Sequence, residues 1–107
     1  MTTITAIISA IKAAGYPIAH DSFSTAQTLP FVCWTDDGSN GVYADNINYI
    51  SKSGYSLELY TKLKSKADEK KISDALTALG VSFSRNPTTK ITAENCFQTV
   101  FSFELID

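Results

Sequence analysis

Isoleucine recurs at positions 4, 7, 8 and 11, the i, i+3, i+4, i+7 spacing that lays one apolar stripe along a helix. Thr2 or Thr3 can cap its start, and Gly15 with Pro17 just beyond ends it. Thr5, Ser9 and Lys12 take the other side, so this helix is expected to lie on a sheet. Its alanines at 6, 10, 13 and 14 allow a close approach. A second stripe at the same period, Ile72, Ala75, Leu76 and Leu79, follows Ser65 as cap. Asp68 and Glu69 fall in its first turn, where carboxylates suit the positive end of the helix dipole, and Gly80 closes it.

Elsewhere the period is two. Residues 18–23 are polar with strand character, and Pro30 opens the short apolar run Phe31-Val32-Cys33-Trp34, too brief for a helix and read as a central strand. Tyr55, Leu57, Leu59 and Thr61 alternate with Ser56, Glu58 and Tyr60. Val81, Phe83 and Arg85 alternate with Ser82 and Ser84 until Asn86-Pro87 stops them. In the last strand, 96–106, Phe97, Thr99, Phe101, Phe103 and Leu105 face one way, and Gln98, Ser102 and Glu104 the other, with Val100 breaking the polar side. Residues 36–54 are less regular. Asp36-Asp37-Gly38-Ser39-Asn40-Gly41 is a turn cluster with two glycines suited to positive φ, and Tyr43, Ile47 and Tyr49 alternate with polar residues beyond it. As pure loop that stretch would be 19 residues long, unusual in a compact domain unless it has a task, so it is read as a long hairpin excursion containing some strand. The expected fold is α+β: a mainly antiparallel sheet with two helices packed on one face, in the order α-β-β-(β)-α-β-β, as a single domain over 1–107.

Length and composition narrow the function classes. A chain of 107 residues can bury a real but small core, so oligomerisation is a natural source of extra stability. No apolar run approaches the roughly 20 residues of a transmembrane helix, and the start lacks the basic residues of a signal peptide, which points to a protein made and kept in a cytoplasm. Cys33 and Cys96 are expected as reduced core residues; a disulfide between them would need neighbouring strands. A net charge of −2 gives no general attraction to nucleic acid or anionic membrane.

Candidate chemistry is sparse. His20 is the sole histidine and has no ligand partner at metal-binding spacing; a strand-edge histidine explains it. A Cys33–His20 nucleophilic pair could arise only through folding. The aspartates of the 36–41 segment lack calcium-loop spacing and a closing Glu. Lys62, Lys64, Lys66, Lys70 and Lys71 gather at the start of the second helix, either as a solvated face or as a basic spot for an acidic partner or phosphate backbone. No phosphate loop, nucleophile elbow or carboxylate pair is present in the sequence, so no enzyme, metal or cofactor is expected. Tyr16, Tyr43, Tyr49 and Tyr60 lie on or beside polar segments, the kind of residue enriched at protein–protein contacts.

Leu29-Pro30-Phe31-Val32-Cys33-Trp34, Asp37-Gly38-Ser39-Asn40, Tyr43-Ala44-Asp45-Asn46 and Tyr55-Ser56-Leu57-Glu58-Leu59-Tyr60-Thr61-Lys62 follow one another in a recognisable order. Glu69, the helix exit Leu76…Leu79-Gly80-Val81-Ser82-Phe83 and the closing Phe101-Ser102-Phe103-Glu104-Leu105 continue it. Together they resemble the small tail-terminator, or tail-completion, proteins of long-tailed bacteriophages and prophages of Gram-positive hosts; His20 and Asp21 depart from an apolar or aromatic strand pattern there. The resemblance implies a virion protein, assembled in the host cytoplasm, that forms a usually hexameric ring at the head-proximal end of the tail tube. Such a ring stops tube growth and presents a docking surface to the head connector. Its implied partners are further copies of itself, the tube protein and the connector protein, with DNA passing through without specific binding and no membrane. The excursion at 36–54 would reach a neighbour or the tube, with Tyr43, Asp45, Asn46 and Tyr49 as interface residues. Asp45 and Asn46 could equally cap a turn. Asp36, Asp37 and Asp45 would place negative charge near the passage and discourage DNA from sticking. The alternatives are another neck ring, such as a head-completion or connector protein, or a small α+β module that binds nucleic acid. Gln98, Ser102 and Glu104 on the polar side of the last strand speak against that module.

Overall fold

The computed structural model describes residues 3–23, 27–44, 47–92 and 95–106, with the backbone alone for 39–44, 47–52 and 106. The fold is α+β, two helices and a six-strand, mostly antiparallel mixed sheet: α1 (Ile4–Ala13), β1 (Ile18–His20), β2 (Phe31–Ala44), β3 (Ile47–Thr61), α2 (Lys66–Ala78), β4 (Phe83–Arg85), β5 (Thr89–Ile91) and β6 (Cys96–Ile106). Both helices begin where the caps were expected. Thr3 Oγ1 accepts from the Ala6 amide at 3.2 Å, and Ser65 Oγ accepts from the Asp68 amide at 3.2 Å. Gly15 leaves α1 at φ +102°, a left-handed conformation that only glycine adopts without strain.

The sheet runs β1-β2-β3-β6-β4, with β5 pairing separately on β6. Among the described residues only the β1–β2 pair is parallel. Cross-strand partners share a face, so the registers Val32↔Leu59, Trp34↔Leu57, Leu57↔Phe101 and Tyr55↔Phe103 collect the large apolar residues on one side. There Ile7 and Ile11 of α1 and Ile72 and Leu76 of α2 join Val32, Leu57, Leu59 and Phe101 in one buried core. The last strand is the core strand its alternation predicted. The opposite face of the sheet carries no helix among the described residues.

Several expectations need correction. Residues 36–41 do not reverse the chain: β2 runs through them to Ala44, which pairs with Ile47. The strand expected at 18–23 stops at His20, because Asp21 turns to φ +61°. The fourth strand begins at Phe83 instead of Val81, whose amide still bonds Leu76 O behind α2. β5 was not foreseen; three residues are too few to show a period. Cys33 and Cys96 are both buried thiols, and β3 lies between their strands, so no disulfide joins them.

Glu69 extends the α2 stripe by one turn and is only 7% exposed. Its Oε1 accepts from Arg85 Nη1 at 2.7 Å, tying α2 to β4, while Oε2 is buried with no hydrogen-bond partner among the described residues. Truncating Arg85 strands that carboxylate away from water. Arg85→Ala is therefore expected to cost about 2 kcal/mol, whereas replacing both partners by Met should cost less than half of that. Chemical denaturation of the three proteins checks this, and equal losses in the single and double variants would contradict it.

Candidate assembly interface

β2 and β3 are much longer than the sheet that holds them. β1 covers the outer edge of β2 only from Val32 to Trp34, and β6 covers the far edge of β3 only from Lys52 to Thr61. Beyond that, the two strands pair with each other alone, out to Ala44↔Ile47. The result is an arm whose backbone edges meet no other strand among the described residues; on the β2 side the edge is open from residue 35. The molecule measures 50 × 27 × 26 Å, and its radius of gyration of 14.9 Å exceeds the roughly 13 Å of a compact chain this long.

A bulge marks the arm's root. Asp36 pairs with Tyr55 and Gly38 with Gly54, so Asp37 is the extra residue, and Gly38 takes φ +99°. Such a bulge bends the strand and sharpens its twist, and here it redirects the arm as it leaves the core. Asp36 Oδ1 accepts from the Gly38 amide at 3.0 Å. The Asp37 carboxylate lies over the helix-free face, accepting from Ser56 Oγ at 2.6 Å and from Thr35 Oγ1 at 3.1 Å. The registers Thr35↔Ser56, Ser56↔Ser102 and Ser84↔Ser102 place four hydroxyls in one row across four strands. Ser56 Oγ and Ser102 Oγ are 3.5 Å apart within it. Small side chains keep this band of the face flat. A second irregularity, between Val42↔Ile50 and Tyr43↔Asn48, leaves Tyr49 unopposed in the arm.

At the other end of the same face, the Phe31 ring stacks on Tyr60 at 5.0 Å and meets Phe23 edge-on at 5.4 Å. Gln98 Nε2 donates to Tyr60 Oη at 2.9 Å, and Tyr60 Oη donates to Glu58 Oε1 at 3.1 Å. Burial first, and the Glu58 charge second, push the Tyr60 phenol up to about 12. Burial likewise pushes the Cys33 thiol up, the reverse of what a nucleophile needs. His20 is on the helix-clad side, stacked 3.9 Å from Trp34, while Cys33 pairs with Ala19, so the two do not meet.

Of the residues expected at the interface, Tyr43 and Tyr49 are in the arm strands, and Asp45 and Asn46 lie outside the described residues. Asp36 and Asp37 are exposed at the arm's root. Two features went unnoticed in the sequence: Leu63, an exposed leucine between two lysines, and the Gly38↔Gly54 pair. Among the described residues no three His, Cys, Asp or Glu side chains gather as metal ligands. No protein-family model matches the chain, and no curated protein matches it.

The raised phenol has a measurable consequence. In an alkaline titration followed by phenolate absorbance, Tyr60 and Tyr16 should both ionise late; the Tyr16 phenol is raised by burial and by the Asp68 carboxylate to which it donates. Tyr60→Phe should remove one of these late phenolates, the one near pH 12. An unfolded tyrosine ionises near 10, so this group's contribution to stability is complete below about pH 10 and is lost as the pH rises towards 12. A titration in which every tyrosine ionises together near pH 10 would contradict the environment described.

Proposed function

We propose that this chain is a structural virion protein that associates head to tail into a ring, ends growth of a phage tail tube and joins the tail to the head connector. The arm carries the reading. Long open strand edges invite pairing with another chain, and proteins that stay monomeric blunt or cover them. The accessible surface of 6560 Å² exceeds the roughly 5,800 Å² of a compact monomer of this mass. The excess of about 760 Å² is close to the roughly 800 Å² that each partner gives to a standard interface.

The arm of one copy and the body of the next are different surfaces, so the contact is heterologous and closes into a ring when the rotation allows. The resemblance of the Leu29–Trp34 run and the segments around it to tail terminators supplies the place of that ring, its hexameric expectation and its tube and connector partners. Asp36 and Asp37 at the arm's root would turn negative charge towards the passage and keep DNA sliding. A nucleic-acid-binding module is disfavoured, because the helix-free face is not basic: by register its described strand residues include Asp37, Glu58 and Glu104 against one lysine, Lys52.

Replacing residues 40–52 with Asn-Gly keeps the Gly38↔Gly54 pair and closes the hairpin with a favoured two-residue turn. The trimmed protein should stay folded but sediment as a monomer, and particles made with it should include over-long, headless tails. Empty heads beside normal tails would move the chain to another neck ring. Unchanged sedimentation and unchanged tails would overturn the reading.

A further inference from the structure

The sequence sets Asp68 and Glu69 among the lysines that open α2, and the structure turns both carboxylates to other partners. Asp68 Oδ1 accepts from Tyr16 Oη, and the buried Glu69 is held by Arg85. Lys70 pairs with Asp74 at 2.8 Å. Lys62, Lys64, Lys66 and Lys71 are exposed, and none is in an ion pair among the described residues. The registers Thr61↔Phe97 and Lys90↔Phe97 set Lys90, equally exposed and unpaired, at the same end of the sheet. The other acids there are Glu58, which accepts from Tyr60 Oη, and Glu94, which lies outside the described residues. Positive charge is therefore in excess at the end of the molecule opposite the arm.

Apolar surface lies amid those charges. Leu63, between Lys62 and Lys64, is 73% exposed, the one large apolar side chain so placed among the described residues. It comes two residues after β3 ends at Thr61. The Phe31↔Tyr60 register brings the start of β2 to the same end, where Pro30 is exposed and the Phe23 and Phe31 rings are half-buried. A lone surface leucine is ordinary, and so is a solvated lysine run. An apolar centre with a cationic rim, whose nearby acids are engaged elsewhere, is the anatomy of one side of an interface. A phosphate backbone would use the lysines and leave the leucine idle. We propose that this end docks a protein other than this chain, one that presents an apolar recess edged with carboxylates. The inference rests on the ring reading and deepens it: the arm serves copies of the chain, and the far end serves the tube or the connector.

Lys62→Glu/Lys64→Glu inverts the rim and Leu63→Ser removes the centre, all at exposed loop positions whose folding can be checked by circular dichroism and melting. Wild type and variants are mixed with isolated tail tubes that lack this protein and, separately, with tailless heads that carry the connector. Co-sedimentation is then measured across salt concentrations. Wild type should bind one of the two particles, more weakly as salt rises. The charge variant should bind that particle at least about 10-fold more weakly and Leu63→Ser about 5-fold more weakly, with self-association of both within about 2-fold of wild type. If both variants bind tubes and heads like wild type, this inference is wrong and the ring reading stands. Parallel loss of self-association would give the surface to a second copy and overturn the inference. So would a loss confined to the charge variant and matched by lost binding to bare duplex DNA, which would make this a phosphate surface. If wild type binds neither particle, the ring reading falls as well.

Discussion

Everything in this fold depends on β3 being paired on both sides. From Gly54 to Tyr60 it is bonded to β2 along one edge and to β6 along the other, and it places Leu57 and Leu59 under the two helices. The core exists because these three strands share a register that stacks Val32, Leu57, Leu59 and Phe101 against Ile7, Ile11, Ile72 and Leu76. The arm exists because β2 and β3 continue after the shared register ends. One strand therefore both anchors the domain and sets how far its hairpin projects.

The two faces of the sheet divide the remaining work. On the helix side, rings cross the sheet near the arm: His20 on Trp34, Trp34 beside Tyr55, and Tyr55 on Phe103. They cap the core where helical cover gives out. On the other side, the hydroxyl row and the Asp37 hydrogen bonds hold the arm's root with small polar groups, leaving a face that is flat and wet. A domain this small gains little from more burial within itself. Surface that is left paired on one edge and bare on the other gains most from another copy.

The helices were legible because stripe and cap speak together. Ser65 and the 72-75-76-79 spacing locate α2, and the same period carried one turn back would have found Glu69. The 96–106 alternation located β6 for the same reason. The Asp36–Gly41 stretch misled because aspartates and glycines report a local conformation, and a bulge uses the same one as a turn. Gly38 does adopt positive φ and Asp36 does bond the Gly38 amide, yet the chain keeps its direction. Parallel pairing of β1, the Glu69–Arg85 tie and the four-strand hydroxyl row join residues far apart in sequence, and no local pattern encodes them. Of the site, the arm could be inferred from the length of the 36–54 stretch, and Tyr43 and Tyr49 are in it. The Gly38↔Gly54 pair at its root could not, because two glycines on different strands meet only once the register is set.

The claim at the centre is that the open edges of the arm are closed by another copy. Amide hydrogen exchange along the β2 edge beyond Trp34, compared between dilute protein and assembled rings, tests it most directly. The account predicts fast exchange of the outward-facing amides in the 35–44 segment when subunits are apart and strong protection once they assemble, with the α1 and α2 amides protected in both states. Equal exchange of that edge in both states would contradict it.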